Sequence, residues 1–396
     1  MLRRVRDQIL LALHRYPNTY LWLRTRYRAA VFWLQWNIGA VRHKLAQMQA
    51  QAPHPSLQER KRAQEQRLAT QLTSFLEDAA ARIQFPTTPE APLVSIILVT
   101  YNRAEFTLEC LRRLVPEALS IPLELIVVDN CSTDQTQALF SKVSGITFLP
   151  QQENLHFLRG SNVGASHAKG KYLLFLNSDA FITPAAIRSS VDIFSSETNV
   201  GAIGGKLLLP DGQIQEAGCM IYPDGTARGL LRHEAPSHPA AQVLRTVDFC
   251  SGAFLMTSSE LFRSLQGFDD QYAPAYYEDA DYCVRLRKQG FCTIYNPRAI
   301  IEHFEYGSAT AKNSSILLMQ ERQKIFASQH PNYQSVLPKK VLIIDERLPY
   351  SRYGAGYPRT QAIIRALQEL GLPTSIFPLF HLDNDDTATA SSRGFC

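Results

Sequence analysis

Four short clusters of polar and acidic residues stand out in the sequence because of the apolar or periodic segments beside them. Three follow stretches rich in Val, Ile and Leu, and the last opens a segment with helical periodicity: Thr100-Tyr101-Asn102-Arg103, Asp129-Asn130, Asn177-Ser178-Asp179 and Glu278-Asp279-Ala280-Asp281. Carboxylate and amide oxygens suit a hard divalent cation, Arg suits a phosphate group, and an ionised carboxylate can accept a proton. These residue types indicate a site for a phosphorylated ligand and for acid–base chemistry.

The elements between the first three clusters predict a sheet that brings them together. From residue 93 onward, short runs rich in Val and Ile alternate with helical patterns, which is typical of a parallel α/β sheet. Ligands bind beyond the carboxyl ends of the strands in such sheets, so the three clusters are expected to converge on one site. The predicted strands are Val94–Thr100, Leu123–Asp129, Ile146–Pro150 and Tyr172–Asn177, and the predicted helices between them are Glu105–Leu114, Asp134–Ser141, Ser161–Ala168 and Pro184–Ser196.

Length and charge exclude several functional classes. A chain of 396 residues is too long for one core, and 45% hydrophobic with 19% charged residues fits neither a disordered nor a fibrous protein. The net charge of +5 is local, because residues 1–90 carry 14 Lys and Arg against 6 Asp and Glu, whereas residues 91–396 carry 27 against 30. The slightly acidic main region argues against nucleic acid as a partner.

Composition divides the chain into four parts. Residues 1–90 predict a basic, aromatic helical region ending in a linker, with helices at Thr19–Ala50 and Leu57–Ile83. Residues 91–310 predict the α/β domain and residues 311–338 a helical connector. Residues 339–396 predict the start of a further β-α-β unit with a polar tail, formed by strands at Val341–Asp345 and Thr374–Leu379 around a helix near Thr360–Leu370.

The helix predicted at Thr19–Ala50 contains all three Trp together with Arg and Lys. Such a helix can lie on a membrane surface, but packing against the protein's own domain or a partner chain is the favoured explanation of the pattern. Its longest charge-free apolar stretch, Ala29–Val41, falls short of the about 20 residues of a membrane span. Seven Cys without a C-x-x-C pair fit reduced thiols. We predict no transmembrane segment and a cytoplasmic location, with peripheral contact at the inner face of the membrane left open.

The order of these motifs resembles that of inverting glycosyltransferases of family 2, including rhamnosyltransferases. The likeness covers roughly Pro92–Ser308 and takes in the four clusters, the stretch from Asn154 to Gly164, and His303 to Ser308. It implies the α/β GT-A fold of nucleotide-diphospho-sugar transferases, a mostly parallel sheet flanked by helices, here with an N-terminal helical region. It also implies transfer of a sugar from a nucleoside diphosphate sugar, UDP- or dTDP-linked, to a glycan or lipid-linked saccharide in polysaccharide or cell-surface glycan synthesis.

The resemblance assigns most of the strand-end residues to a nucleotide pocket. Asp129 can accept a hydrogen bond from a ring N–H of the base, although a cap on the next helix, shared with Ser132 and Asp134, would also explain it. Asn162 and Gly164 match a loop into a helix in this family, but a turn and cap alone would account for both. The residues placed at the nucleotide are Thr100, Tyr101, Asn102, Arg103, Asp129, Asn130, Asn162, Gly164, Asn177 and Ser178.

A divalent cation, Mg²⁺ or Mn²⁺, is implied at the diphosphate. Asp179 is the predicted ligand and His303 the second, after an apolar strand at Ala299–Ile301. Asn177 departs from the Asp-x-Asp spelling of the family, so this position offers an amide carbonyl in place of a carboxylate. The bland interpretations are a common turn for Asn177-Ser178-Asp179 and a structural role for His303.

The resemblance identifies Asp279 as the base that takes the acceptor proton, with Glu278 and Asp281 orienting it or binding acceptor hydroxyls. The helix dipole is expected to lower the pKa of Asp279, and dipole stabilisation alone would also explain an acidic first turn. Gly252 is predicted on the acceptor side, where a glycine lets substrate approach the backbone, or simply in a tight turn. One base without an obvious carboxylate nucleophile favours a single displacement with inversion.

Two other functions stay open. A non-catalytic module that binds sugar nucleotides or assembles a larger glycosyltransferase is one, with Asn177 marking a degraded metal site. A sugar nucleotidyltransferase is the other, but it calls for a Gly-rich, Lys- or Arg-bearing phosphate loop, which Thr100–Arg103 is not. The C-terminal fragment, with Asp345-Glu346-Arg347 and Gly354-Ala355-Gly356, resembles the truncated start of a GT-B glycosyltransferase domain.

Overall fold

The structure is a computed structural model that describes residues 57–87, 90–304, 312–331, 333–336, 341–345, 356–369 and 374–378. The helix predicted at Thr19–Ala50, and with it the membrane interpretation, lies outside these ranges. The chain divides into two compact units, Met1–Glu59 and Arg60–Cys396. The second unit contains all four clusters.

Helices and strands alternate through most of the described chain. Two 3₁₀ turns, Pro239–Gln242 and Asp270–Tyr272, accompany them. In chain order the elements are α1 (Leu57–Glu77), β1 (Ile83–Gln84), β2 (Val94–Thr100), α2 (Ala104–Ser120), β3 (Leu123–Asp129), α3 (Thr136–Phe140), β4 (Val143–Ser144), β5 (Thr147–Pro150), α4 (His156–Ser166), β6 (Tyr172–Asn177), β7 (Ala180–Ile182), α5 (Ala186–Ser196), β8 (Val200–Leu208), β9 (Ile214–Ala217), β10 (Cys219–Ile221), β11 (Ala227–Gly229), β12 (Arg245–Val247), β13 (Phe254–Ser258), α6 (Ser259–Ser264), α7 (Glu278–Lys288), β14 (Cys292–His303), α8 (Lys312–Gln329), β15 (Val341–Asp345), α9 (Gly356–Glu369) and β16 (Thr374–Pro378).

A ten-stranded sheet forms the core of the second unit. Its order is β12-β14-β8-β13-β6-β2-β3-β5, with β7 paired to β14 and β9 paired to β8. β2, β3, β5 and β6 are parallel, whereas β13 runs antiparallel between β6 and β8. Every residue of β2 and β3 is buried, as expected for strands covered on both faces. The predicted α/β class, with a central sheet flanked by helices, is confirmed.

The observed strands follow the prediction more closely than the helices do. α2 continues past Leu114 to Ser120, because its buried face extends through Glu117 and Ala118. β14 is far longer than the predicted strand Ala299–Ile301. Its pairing with β8 shifts register between Asn296 and Ile300, around a proline, and such an irregular strand has no clean alternating pattern to detect.

Helix α1 packs on the same core as the sheet. Leu68, Leu72 and Phe75 are buried in one cluster with β-strand residues such as Val94 and Ile96. Burying an aliphatic or aromatic side chain of this size stabilises a fold by about 1.5–3 kcal/mol. The helix is therefore part of the folded unit that carries the sheet.

The segment that follows β14 packs on the other side of the domain. Asp248, only 3% exposed, accepts hydrogen bonds from the Tyr333 hydroxyl at 2.9 Å and from the Val336 backbone N–H at 2.7 Å. Further along, β15 and β16 pair in parallel with α9 between them, which is the predicted β-α-β order. Glu346-Arg347 and the first two residues of Gly354-Ala355-Gly356 lie outside the described residues.

Candidate active site

The carboxyl ends of β2 and β3 lie side by side, with Thr100 opposite Asp129 in the ladder. Asn102 joins the two ends, because its backbone N–H donates to Ser132 Oγ at 2.7 Å and its Oδ1 accepts from the Thr133 N–H at 2.7 Å. Ser132 in turn donates to Asp129. The predicted meeting of these two clusters is therefore observed.

Two carboxylates at this edge have different surroundings. Burial raises the pKa of Asp129, and the hydrogen bond from Ser132 opposes the rise. Asp134 accepts from the N–H of Ala104 at 3.0 Å as well as from Thr136, so it caps the start of α2 in addition to α3. The capping interpretation therefore applies to Asp134, whereas Asp129 stays at the strand end.

Arg103 is held by ion pairs beside the exposed ring of Tyr101. Its Nε lies 2.7 Å from Glu105 Oε1, and its Nη2 lies 3.1 Å from Glu65 Oε1 on α1. Its guanidinium carbon stands 4.4 Å from the ring centroid of Phe106. Helix α1 thus reaches the edge of the sheet where the strand ends converge.

Three more residues predicted at the nucleotide have local roles in the structure. Asn130 is 1% exposed and donates to the carbonyl of His156. Asn162 and Gly164 lie inside α4, not in a loop that precedes a helix. The Asn162 side chain donates to the backbone carbonyl of Phe268 and accepts from its N–H. A Cβ added at Gly164 would lie 2.5 Å from the Ile97 side chain. Asn162 thus links α4 to Phe268 by hydrogen bonds, and Gly164 lets α4 pack closely against β2.

Asp179 and His303 meet although they come from different elements. β7 pairs with β14, which sets Ala180 opposite His303, and Asp179 immediately precedes that strand. Asp179 Oδ1 lies 3.4 Å from His303 Nε2, and Asn177 Nδ2 lies 3.3 Å from the same nitrogen. Ser178 lies between them in the turn from β6 to β7. The structure therefore brings the predicted metal residues together.

Gln215, which the sequence analysis did not single out, orients His303. His303 Nδ1 lies 2.9 Å from Gln215 Oε1, and because a carbonyl oxygen can only accept, Nδ1 carries the proton. In a neutral ring this leaves the lone pair of Nε2 facing the carboxylate of Asp179. Two ligands at about 2.1 Å from one metal ion are about 3 Å apart, so the pair fits a shared divalent cation.

Within the described ranges, no three His, Cys, Asp or Glu side chains converge to hold a metal by themselves. Asp179 and His303 supply two ligands, and the rest of the coordination shell would come from substrate oxygens. Mg²⁺ sites often have this form, with one or two protein ligands plus phosphates.

Replacing Gln215 with Met is expected to weaken Mn²⁺-dependent nucleotide binding by about 10-fold or more, since outer partners of metal ligands are worth about 10–100-fold in affinity. Met fills the space but cannot accept the His303 N–H. Titration calorimetry with UDP or dTDP and Mn²⁺ measures the effect, and Gln213→Met, an exposed position on the same hairpin, is the control. Equal affinities in the two variants would show that Gln215 does not act through the metal site.

Asp279 lies at the start of α7 and is held by backbone donors. Its Oδ2 accepts from the Gly252 N–H at 3.0 Å, and its Oδ1 accepts from the Ala280 N–H at 2.8 Å. The sequence analysis expected a lowered pKa here. Burial instead raises the pKa of Asp279, and the backbone donors offset this only in part. A carboxylate with a raised pKa is a stronger base.

Glu278 and Asp281, the other two acidic residues of this cluster, have different surroundings. Glu278 is 5% exposed, its Oε2 makes no hydrogen bond among the described residues, and burial followed by the charge of Asp279 raises its pKa. Asp281 is 1% exposed and is bound by Arg285 Nε at 2.6 Å and His330 Nε2 at 2.8 Å. Asp281 therefore ties α7 to the segment after α8 and is not an acceptor-side group.

A second carboxyl group that sequence reasoning missed lies beside Asp279. Glu216 Oε1 accepts from the Ser251 N–H at 3.2 Å, so the consecutive N–H groups of Ser251 and Gly252 hold one carboxyl group each. Burial raises the pKa of Glu216 to about 7, and the negative charge of Asp279 acts in the same direction. No motif marks this position, because Glu216 is one residue of a short strand in the hairpin after β8.

Glu216→Gln is expected to gain about 2–3 kcal/mol of stability relative to the unaltered chain between pH 5 and pH 8, one pKa unit being worth about 1.4 kcal/mol. A folded-state pKa above the unfolded value means that stability is lost as the pH rises through about 7, and Gln removes this loss. Thermal unfolding at both pH values, with chelator and with Glu234→Gln as the exposed control, measures it. A pH-independent difference would contradict the expectation.

A cavity of about 400 Å³ opens next to His303. It lies where β8 and β14 end, and α1 closes one side with Gln64 and Arg67. Apolar walls come from Phe181 and Phe304. The space adjoins His303 and is large enough for a small polar ligand group.

Residues 95–213 match the family described as Glycosyl transferase family 2. An uncharacterized protein of Sinorhizobium fredii is 26% identical over 228 residues, which cover 55% of this chain and 25% of that protein. The O-antigen biosynthesis protein RfbC of Myxococcus xanthus is 27% identical over 239 residues, or 58% of this chain and 18% of RfbC. The N-acetylglucosaminyl-diphospho-decaprenol L-rhamnosyltransferase of Mycobacterium tuberculosis is 26% identical over 236 residues, or 53% of this chain and 76% of that enzyme.

Solved structures with a similar arrangement include the mannosyltransferase PcManGT of Pyrobaculum calidifontis in complex with GDP-Man and Mn²⁺. It has a TM-score of 0.43 and 16% identity, over 69% of this chain and 73% of that chain. S. aureus TarS in complex with UDP-GlcNAc has a TM-score of 0.42 and 16% identity, over 61% of this chain and 68% of that chain. The matched part of this chain spans only about a quarter of the first of the sequence relatives and under a fifth of the second.

Proposed function

Because residues 95–213 match the family described as Glycosyl transferase family 2, we propose that this chain is a metal-dependent inverting glycosyltransferase. It moves a sugar from a nucleoside diphosphate sugar to a hydroxyl group of a glycan or a lipid-linked saccharide. One observation carries the proposal: the Asp179–His303 pair and the base Asp279 are linked by consecutive residues of β9, Gln215 and Glu216, and so belong to one site.

The strand ends hold the nucleotide in this proposal. Asp129 lies at the end of β3, and Tyr101, 38% exposed, follows the end of β2. Thr100 was predicted at the nucleotide, but it is fully buried with its hydroxyl 3.0 Å from that of Thr107, so it supports this edge from within. Asn102 keeps the ends of β2 and β3 in register with each other. Arg103 stands beside them for the phosphates, steadied by Glu65 and Glu105.

Asp179 and His303 would hold Mg²⁺ or Mn²⁺, whose chemistry is to neutralise charge on the departing diphosphate. Asp279 accepts the proton of the acceptor hydroxyl while that oxygen bonds to the anomeric carbon. The bond from that carbon to the diphosphate oxygen breaks on the opposite face, which inverts the centre. Gly252 keeps the Asp279 carboxylate in place through its N–H.

The names of two relatives favour a setting in polysaccharide or cell-surface glycan synthesis. One is an O-antigen biosynthesis protein and the other a rhamnosyltransferase acting on a diphospho-decaprenol-linked sugar. A dTDP- or UDP-sugar donor and a lipid-linked acceptor are therefore proposed for this chain. Six described cysteines are free thiols, which supports a reducing, cytoplasmic compartment.

Among the described residues, no helix combines the length and hydrophobicity required to cross a bilayer. Peripheral membrane contact through residues 1–56 stays a proposal, as does the division into residues 1–90, 91–310, 311–338 and 339–396. The parallel pair β15–β16 with α9 supports the proposed GT-B-like beginning at the C-terminal end.

Titration of UDP, dTDP and GDP into the protein, with Mn²⁺ or Mg²⁺ and then with chelator, tests the proposed function without knowledge of the acceptor. We expect one nucleotide to bind in a chelator-sensitive way. Binding of none of them would remove the case for catalysis and favour the alternative of a non-catalytic assembly module.

A further inference from the structure

We propose that Glu216 binds a hydroxyl group of the transferred sugar and so contributes to the choice of donor. This inference rests on the proposed function and goes further, because it assigns to one residue of β9 the recognition of the sugar itself.

The position follows from a continuous series of contacts. His303 bonds to Gln215, Glu216 is the next residue along β9, and Glu216 bonds to Ser251, the residue before the Gly252 that bonds to Asp279. The carboxyl group of Glu216 is also within electrostatic reach of both His303 and Asp279. It therefore lies in the stretch between the metal pair and the base.

In a single displacement, the sugar ring must occupy that stretch. The diphosphate lies at the metal ligands, the acceptor oxygen lies at the base, and the anomeric carbon lies in line between them. A side chain placed between the two ends faces the ring and its hydroxyl groups. Ordinary helix or strand packing does not require a carboxyl group in this place.

Neighbouring residues hold the Glu216 side chain in a defined place. The Ser251 N–H binds Oε1, and a Cβ at Gly229 would lie 2.9 Å from the Cβ of Glu216, so the strand beside it approaches closely only because residue 229 is glycine. Glu216 nevertheless retains partial exposure, unlike Asp281. A carboxyl group that is already held in place can bind a sugar hydroxyl, whereas a free surface carboxylate would first have to be ordered.

The test compares a nucleotide with and without its sugar. Calorimetry with Mn²⁺ measures the affinities of two ligand pairs, dTDP with dTDP-L-rhamnose and UDP with UDP-N-acetylglucosamine. The proteins tested are the unaltered chain, Glu216→Ala, Glu216→Gln and the exposed control Glu234→Ala. The contribution of the sugar is the dissociation constant of the nucleoside diphosphate divided by that of the nucleotide sugar. We expect Glu216→Ala to lower this ratio by about 10-fold, equivalent to about 1.4 kcal/mol. The affinity for the nucleoside diphosphate alone should stay within about twofold.

Two results would overturn the inference. An unchanged ratio in both Glu216 variants would show that the residue does not face the sugar, and an equal loss for the nucleotide with and without sugar would assign it a structural role. Gly229→Ala, which keeps the carboxyl group but displaces it, should lower the ratio in the same direction. If the unaltered chain binds none of these nucleotides, the proposed function fails first, and the two failures are thus distinguishable.

Discussion

Replacing Asp279 with Asn is expected to lower the rate of sugar transfer by about 10³-fold, within the range of about 10²–10⁴ for loss of a general base. The amide keeps the shape and can still accept from the Gly252 N–H, but it cannot take the acceptor proton. Affinity for the donor should change by about twofold at most, because the base acts on the acceptor in the transition state. Transfer assays and nucleotide titrations on the same preparation separate the two effects.

The pH profile gives an independent check on the same residue. Burial raises the pKa of Asp279, so the unaltered chain should lose kcat/KM as the pH falls through that raised pKa, where the carboxylate becomes protonated. Asp192→Asn on the exposed side of α5 is the control and should keep both rate and profile. Full activity in Asp279→Asn would assign the base to another residue, of which Glu278 and Glu216 are the nearest candidates.

Asp179→Asn is expected to weaken Mn²⁺-dependent binding of UDP or dTDP by at least about 10²-fold, since even the outer partners of metal ligands are worth about 10–100-fold. The substitution removes the charge that pairs with the cation while His303 and Asn177 remain. Binding in the presence of chelator should be nearly the same in both proteins, which confines the effect to the metal.

Asp211→Asn, half-buried in the turn near the same end of β8, is the matched control, and an amide oxygen at this position can still accept the Gln213 N–H. Asp179→Asn should also keep its thermal midpoint within a few degrees, because Asn has the same shape and the backbone carbonyl of residue 179 still accepts the Phe304 N–H. Retained metal-dependent binding in this variant would refute the assignment of Asp179 as a metal ligand. Asn177-Ser178-Asp179 would then be only a turn between β6 and β7, the alternative that its composition also allows.

The strand ends were predictable because parallel strands finish at a common edge. Thr100, Asp129 and Asn177 all end strands that are buried and mainly apolar, and a run of this kind can be recognised in the sequence. The contact of Asp179 with His303 is different in kind. It depends on β7 pairing antiparallel to β14, and the resemblance to a family, not the spacing, indicated it.

Glu216 and Gln215 could not be found in the same way. Their partners are set by how β9 pairs with β8, where the register shifts between Leu207 and Leu208, and nothing local announces such a shift. Asp281 shows the converse case. The resemblance suggested that Asp281 orients the base or binds acceptor hydroxyls, but His330, from a segment far along the chain, binds that carboxylate. The pKa of Asp279 was misjudged because burial cannot be read from a helix dipole.

Helix α1 determines at which residue a chimaera that contains this domain can begin. A chimaera that takes over the chain only from Pro92 would leave uncovered the strip of sheet on which Leu68, Leu72 and Phe75 lie, and would part Arg103 from Glu65. Such a chimaera would contain the site motifs but lack the helix that covers this part of the sheet. It would be prone to aggregate through the exposed apolar surface. An experiment that exchanges this domain between proteins should therefore move the helix and the sheet together, beginning at or before Leu57.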